Sequence, residues 1–193
     1  MIGLTCMVGA ADDALLIARM AAGDAAALRG LMARYHVRVY RLVLRLVKNP
    51  AIAEELTNEV FLEIWLNAGS FAEASAAATW VLSVAHHRAV SNLRKRRENG
   101  WDEPTMLNVP DAADDPEITA QKVDKSSALR RCIKALSPEH AAIIDIIYYH
   151  EMSVQETAAV LQIPENTVKT RLFHARKRLA ELLKRAGIDR GWP

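Results

Sequence analysis

Positive charge is concentrated near the carboxy terminus of this 193-residue chain. The segment ENTVKTRLFHARKRL, from Glu165 to Leu179, carries six basic side chains if His174 is counted, although the net charge of the whole chain is only +2. Lysine and arginine neutralise phosphates, and arginine also donates paired hydrogen bonds to base edges. The segment therefore indicates nucleic-acid binding, and the alternative is an amphipathic helix whose charged face contacts only water.

The helical repeat divides this segment into an apolar stripe and a polar face. The stripe, which we expect to pack on a core, consists of Val168, Leu172, Ala175, Leu179 and Leu182. The candidate DNA contacts flank or oppose the stripe, and they are Lys169, Thr170, Arg171, His174, Lys177 and Arg178.

The residues around this segment predict a helix-turn-helix. Ser137 and Pro138 are typical of a helix start, and we expect that helix to reach about Tyr149. Ser153 and Glu156 fit a capping box that begins a short helix to about Leu161. The turn QIP then leads into a final helix that begins near Asn166 or Thr167 and continues to about Arg185, with Gly187 as its stop. A short helix followed by a longer basic helix is the order in which the second helix enters the major groove.

A second mixture of aromatic and basic residues lies in TWVLSVAHHRAVSNLRKRR, which predicts a helix from about Thr79 to Arg97. An aromatic ring can stack on an unpaired base while basic side chains neutralise the backbone, which suits single-stranded nucleic acid. The alternative is a tryptophan at a corner of the core and a solvated helix end, where cations are favourable in any case. The candidate contacts on this face are Trp80, His87, Arg88, Ser91, Arg94 and Lys95.

Catalytic and metal-binding patterns are missing from the sequence. His150, in HEMSV, lacks the second histidine four residues on that a zinc-protease helix needs. His86 and His87 are adjacent on a helix and point about 100° apart, so they are poorly placed to chelate one ion. There is no glycine-rich phosphate loop and no nucleophile elbow. We therefore expect no enzyme activity, no catalytic residue, no metal and no cofactor.

The cysteines and the hydropathy pattern predict a cytoplasmic protein. Cys6 and Cys132 are far apart in sequence and lack metal-type spacing, so we expect reduced thiols, with a redox role for Cys132 as the alternative. No run approaches the roughly 18 apolar residues that span a bilayer, and the amino terminus lacks a secretion pattern. We expect no association with a membrane.

Apolar residues recur at spacings of three and four throughout, which predicts an all-α fold. Helices are expected over about 12–23, capped by Asp12 or Asp13, and over about 24–47 and 51–67. The second of these carries a strip of arginines that we expect to face solvent, formed by Arg34, Arg38, Arg41 and Arg45. The third is apolar on more than one side, so it is either deeply buried or carries a surface for a partner.

An acidic segment separates two basic blocks and predicts two helical domains joined by a flexible linker. Residues 98–127 hold eight acidic and two basic residues, three prolines and little periodicity, whereas the blocks on either side are each net +4. The expected organisation is an amino-terminal extension over 1–11, a first domain over 12–97, a linker over 98–126 and a helix-turn-helix domain over 127–187.

Three segments in this order resemble the extracytoplasmic-function (ECF) sigma factors of the sigma-70 family, the two-domain initiation subunits of bacterial RNA polymerase. They are AEELTNEVFLEIW from Ala53, the helix from Thr79 to Arg97, and ALSPEHAAIIDIIYYHEMSVQETAAVLQIPENTVKTRLFHARKRL from Ala135. The resemblance covers about residues 12–185 and implies promoter DNA, core polymerase and an anti-sigma factor as partners.

The resemblance also implies a role for each surface. The third helix would dock on the beta-prime clamp helices of core polymerase through Glu55, Asn58, Glu59 and Leu62. The fourth helix, with the loop from Phe71 to Ser75, would read and melt the promoter element near minus ten. The helix-turn-helix would read the element near minus thirty-five.

Two residues depart from the family pattern. Asn58 stands where glutamine or aspartate is usual, and His87 stands where asparagine is common, so the clamp contact and the promoter preference are expected to differ in detail. The competing interpretation is a polymerase-independent regulator that binds an operator through its helix-turn-helix, with the amino-terminal half as a sensor or dimerisation module.

Overall fold

The computed structural model describes residues 3–72, 76–99 and 120–188, and the regular elements within these ranges are all helices, as the sequence predicted. None of the described helices is long and apolar enough to cross a bilayer. The helices are α1 (Gly3–Ala21), α2 (Ala25–Val47), α3 (Pro50–Leu66), α4 (Ala77–Glu98), α5 (Ala120–Lys134), α6 (Pro138–Ile144, extended by a π-helical turn over Asp145–Tyr149), α7 (Val154–Leu161) and α8 (Glu165–Arg185).

Helices α1 to α4 form the amino-terminal bundle, with α2 packed against the other three. Asp24 caps α2 by accepting a hydrogen bond from the amide of Ala26 at 2.8 Å, and Lys48 ends α2 in the left-handed conformation. Asn49 then caps α3, and Pro50 takes its first position. The apolar stripe of α2 is buried and comprises Leu31, Tyr35, Val39, Leu42 and Leu46, whereas Leu28 at its start is half-buried.

The prediction that Asp12 or Asp13 caps the first helix is wrong. Helix α1 begins at Gly3, so both aspartates lie within it. Asp13 is buried and accepts hydrogen bonds from Arg34 and from the Tyr35 hydroxyl, each at 2.5 Å. Burial of the Tyr35 side chain raises its pKa far above the usual value, and the hydrogen bond to Asp13 adds a smaller contribution in the same direction. These side chains therefore join α1 to α2.

Helices α5 to α8 form the carboxy-terminal bundle, in which α8 packs against the other three. The predicted capping box is present, because the Ser153 amide donates to Glu156 at 2.9 Å and the Glu156 amide donates to the Ser153 hydroxyl at 3.2 Å. Gln162 adopts the left-handed conformation at the turn between α7 and α8, and Gly187 does so after α8. The helix-turn-helix follows from these local signals.

The two bundles lie against each other, since α2 packs on α6 and α4 packs on α7. The arginine strip of α2 is consequently not a solvated face. Arg34 contacts α1, whereas Arg38 and Arg45 contact the carboxy-terminal bundle. Most of the predicted linker lies outside the described residues, and α5 begins at Ala120, within its predicted range.

Candidate functional site

Helix α8 presents a basic surface to solvent. Val168, Ala175 and Leu179 are buried in the carboxy-terminal bundle and hold the helix in place. Five of the six predicted DNA contacts are exposed on its outer surface, namely Lys169, Thr170, His174, Lys177 and Arg178. Arg178 forms an ion pair with Glu181 at 3.1 Å on the same helix, and an exposed pair of this kind is weak enough to exchange for a phosphate.

Arg171 is the exception among the predicted contacts of α8. Only a quarter of its side chain is exposed, and its guanidinium pairs with Glu139 of α6 at 3.2 Å. It also lies close enough to His86 of α4 to help lower the pKa of that histidine. The Arg171 side chain is therefore already paired within the protein and is less exposed than the other predicted contacts of α8.

Phe173 is a surface residue that the sequence reasoning missed. Its ring is 64% exposed and packs edge-on against His174 with the ring centroids 5.5 Å apart. A ring on this surface offers apolar contact to a thymine methyl group in the major groove. The available signal in the sequence is its position outside the apolar stripe of the helix.

Helix α4 carries the second predicted surface. His87, Arg94 and Lys95 are exposed, and Ser91 is half-buried. Trp80 is also half-buried, with its ring centroid 5.3 Å from that of Phe71 in the preceding loop. The tryptophan thus packs on the bundle edge while part of its ring remains available for stacking. The remainder of the predicted base-capture loop, residues 73–75, lies outside the described residues.

Arg88 connects the surfaces of α4 and α3. Its Nε donates to Glu63 at 2.7 Å, and its guanidinium also lies 3.6 Å from Glu59. The sequence reasoning assigned Arg88 to DNA and Glu59 to a protein partner, and it missed Glu63. In the structure the arginine pairs with both glutamates and so joins α4 to α3, and its assignment to DNA stays a prediction.

His86 lies on α4 beside the exposed His87. Burial lowers the pKa of His86 to about 4, with smaller contributions from His87 and Arg171. The side chain is therefore neutral at physiological pH, and its protonation opposes the packed arrangement around it.

Helix α3 has a buried side and a solvent-exposed apolar edge. Leu56, Val60 and Ile64 are buried, whereas Leu62 is 57% exposed and Leu66 is 72% exposed. Around this leucine pair lie the predicted partner contacts Glu55 and Asn58, which are exposed, and Glu59, which is half-buried. An apolar pair surrounded by polar side chains is typical of a surface that another protein covers.

Cys132 is a free, buried thiol on α5. Burial makes it poorly accessible to an oxidant in this arrangement. The side chain of Cys6 lies outside the described part of the chain, so the redox expectation stays a prediction for both residues. The described residues contain no group of three or more histidine, cysteine, aspartate or glutamate side chains placed to hold a metal ion.

Comparison with known proteins follows the same division into two bundles. Residues 31–99 match the family Sigma-70 region 2, and residues 126–179 match the family Sigma-70, region 4. The ECF RNA polymerase sigma factor SigK of Mycobacterium tuberculosis H37Rv is 33% identical over 174 residues, covering 89% of this chain and 92% of the relative. SigK of Mycobacterium sp. KMS is 28% identical over 167 residues, with 83% and 85% covered.

Two solved structures share the fold. CnrH, solved in complex with the cytosolic domain of CnrY, matches with a TM-score of 0.64 and 20% identity over 90% of this chain and 97% of that chain. The Bartonella quintana sigma factor RpoE, solved with the anti-sigma factor NepR, matches with a TM-score of 0.65 and 23% identity over 84% and 98%. Each likeness covers both bundles.

Proposed function

Because this chain belongs to the ECF RNA polymerase sigma factors of the sigma-70 family, we propose that it binds core RNA polymerase and directs transcription initiation at a specific set of promoters. One observation carries this proposal. Both sigma regions are present in the family order within a chain that is 33% identical to SigK across 89% of its length.

The leucine edge of α3 is the proposed contact with core polymerase. Leu62 and Leu66 would be covered by the beta-prime clamp helices, and Glu55, Asn58 and Glu59 would form the polar rim. An exposed apolar pair with an acidic rim supports this role, because transient interfaces combine a small apolar centre with polar edges.

The outer surface of α4 is the proposed contact with the minus-ten element. Trp80 would stack on an unpaired base, while His87, Ser91, Arg94 and Lys95 would contact the backbone and neighbouring bases. A half-buried tryptophan on the same helix as the exposed His87, Arg94 and Lys95 supports this role. Arg88 would act on α4 through its pairs with Glu59 and Glu63.

The outer surface of α8 is the proposed contact with the minus-thirty-five element in duplex form. Its exposed lysines and arginines would anchor phosphates and read bases in the major groove, and Phe173 would supply apolar contact. Neither DNA-reading surface is large, so each would bind weakly alone. Polymerase would raise selectivity by holding both at the spacing of the promoter, so that the second contact forms at a high effective concentration.

An anti-sigma factor is the proposed inhibitory partner. The RpoE structure contains an anti-sigma factor, and that chain shares the fold of this one. A partner that covers the leucine edge of α3 would compete directly with polymerase. The polymerase-independent regulator is not favoured, because residues 31–99 match sigma region 2 rather than a sensor domain.

Reconstitution with core RNA polymerase tests the proposal. The purified chain should co-elute with core enzyme and should produce discrete transcription starts on fragmented genomic DNA of its host, whereas core enzyme alone should not. A chain that fails to bind core polymerase, or that gives sharp DNA footprints equally well without it, would contradict the proposal and favour an operator-binding regulator.

A further inference from the structure

A buried cluster of charged and polar side chains joins the two bundles. Arg38 and Arg45 come from the same face of α2, two helical turns apart, while Asp145 and His150 come from the π-helical turn after α6 and the residue that follows it. The Asp145 side chain is 1% exposed, that of His150 is 3% exposed and that of Arg45 is 15% exposed. Charges this deeply buried are retained only when they are paired.

The hydrogen bonds in the cluster form a chain from Arg38 through His150 to Asp145. Arg38 donates from Nε to Nδ1 of His150 at 3.3 Å, and the Nε2 of His150 lies 3.1 Å from Asp145. With Nδ1 facing the Arg38 donor, a proton on Nε2 of the ring would be donated to the Asp145 carboxylate. Arg45 pairs with the other carboxylate oxygen. Asp145 of the carboxy-terminal bundle therefore pairs with an arginine of the amino-terminal bundle.

Two further contacts extend the cluster to the protein surface. The guanidinium of Arg45 lies over the ring of Tyr149, 4.4 Å from its centroid. The ammonium of Lys48 donates to the carbonyls of Lys134 and Leu136 at 3.0 and 3.5 Å, where α5 ends. A cation at this position satisfies carbonyl groups that the helix end leaves without intrahelical partners. Both contacts again join α2 to the carboxy-terminal bundle.

This closed arrangement is incompatible with simultaneous reading of two promoter elements. Helix α7 packs on α4 and α8 packs on α7, so the two reading helices lie within about 20 Å of each other. The element positions differ by about 25 base pairs, which corresponds to roughly 85 Å of duplex. The chain between Glu98 and Ala120 is long enough to span on the order of 70 Å, so separation of the bundles is sterically possible.

We propose that Arg38, Arg45, Lys48, Asp145 and His150 form an interdomain latch that holds the free protein closed and that must open before both promoter elements are engaged. The inference rests on the proposed function. The latch acts as a self-inhibitory contact, and polymerase or DNA opens it by binding the separated bundles more tightly than the closed ones.

The chemistry of the latch suits a reversible contact. Closing the bundles removes Arg45 and Asp145 from water, and this desolvation offsets much of the attraction between them. Opening returns both charges to solvent and recovers that hydration. An ionic interface can therefore fix the geometry of the closed form while contributing little net free energy to closing. Closing a fully apolar interface of similar size would be more favourable, so its opening would cost more free energy.

Charge removal at the latch, followed by small-angle X-ray scattering of the full-length free protein, tests the proposal. The closed wild-type chain should have a radius of gyration near the roughly 16 Å of a compact chain of this length. Arg45→Gln leaves Asp145 buried without a cation, so it should shift the closed–open equilibrium at least about tenfold and enlarge the radius by about a third. Lys48→Met, at the exposed rim, should cause a smaller shift in the same direction.

Arg34→Gln is the matched control. It removes an arginine from the same strip of α2, but the partners of Arg34 lie on α1 within its own bundle. Its scattering should match the wild type. Thermal unfolding followed by circular dichroism separates opening from unfolding, because an opened variant retains its helical signal. A wild-type chain that is already extended, or folded Arg45→Gln and Lys48→Met variants as compact as the wild type, would overturn the latch.

Core-polymerase affinity distinguishes this inference from the proposed function. If only the open fraction binds, Arg45→Gln should bind core enzyme more tightly than the wild type by the factor by which it raises the open fraction, about tenfold or more, while Arg34→Gln should not. Variants that expand but bind core enzyme no better would refute the inhibitory role of the latch. A wild-type chain that ignores core enzyme would instead refute the proposed function, and scattering would still decide whether the latch closes the free protein.

Discussion

Truncation of Leu62 on α3 separates a partner surface from the core. We expect Leu62→Ala to weaken binding to core polymerase while leaving the stability of the isolated chain within about 0.5 kcal/mol, as is usual for surface substitutions. Its matched control is Leu56→Ala on the same helix. Leu56 is 3% exposed, whereas Leu62 is 57% exposed, so the two substitutions remove identical atoms from opposite environments.

The expected magnitude follows from the exposed fraction. Full burial of a leucine side chain contributes about 1.5–3 kcal/mol, and covering the exposed 57% of Leu62 would contribute about 1–2 kcal/mol of this. That loss corresponds to about 5- to 30-fold weaker binding. Leu62→Asp should lose more, because the complex would also desolvate a carboxylate. Leu56→Ala should instead lower the free energy of unfolding by about 2–5 kcal/mol.

Chemical denaturation and a binding titration measure the two quantities separately. The unfolding midpoint of each variant gives its stability, and the fluorescence anisotropy of labelled protein titrated with core polymerase gives its affinity. If Leu62→Ala lowers the free energy of unfolding as Leu56→Ala does, the side chain belongs to the core. If its affinity for core polymerase is unchanged, the leucine edge is not the docking surface.

Three further predictions concern α4 and α8. Lys177→Ala should weaken promoter binding by the holoenzyme and reduce the slope of log affinity against log salt by about one, if Lys177 contacts a phosphate; an unchanged slope in a filter-binding series excludes that contact. Trp80→Ala should make promoter opening less favourable by about 1–3 kcal/mol, measured by permanganate reactivity of the minus-ten bases. The holoenzyme with Trp80→Ala should also bind a promoter whose minus-ten element is artificially unpaired more weakly than the wild-type holoenzyme does. The pKa of His86 is about 4 in the folded chain and 6.5 when unperturbed, so the folded state binds a proton at this histidine less readily than the unfolded state does. The contribution of neutral His86 to the free energy of unfolding should therefore be fully present above about pH 7, and about 2 kcal/mol of it should be lost by pH 5. His86→Gln should flatten this pH dependence in denaturation titrations, and a variant as acid-sensitive as the wild type would assign the loss to other groups.

Local signals in the sequence predicted most of the helical framework. The capping box at Ser153 and Glu156 and the apolar stripe of α8 involve residues within a few turns of each other, so their effect depends little on the rest of the fold. The same reasoning failed at Asp13, because its role as a hydrogen-bond acceptor for Arg34 and Tyr35 depends on residues about 21 positions away.

The side chains at the candidate surfaces show the same limit. The family resemblance placed Leu62 on a partner surface. Periodicity placed Lys177 on the polar face of α8, and both residues are exposed. It also placed Arg88 among the DNA contacts, but only the packing of α3 on α4 brings Glu63 within 2.7 Å of that arginine. Arg171 likewise meets Glu139 only because α6 packs on α8.

The sequence by itself determined the helices, the basic and leucine-edged surfaces and the resemblance to sigma factors, because periodicity, capping and charge are properties of neighbouring residues. Only the tertiary structure decided which charges are paired. Arg38 and His150 are 112 positions apart, and Arg45 and Asp145 are 100 positions apart, so no local pattern links them. Coulombic pairing depends on distance and burial in space, and the contact between the two bundles sets both.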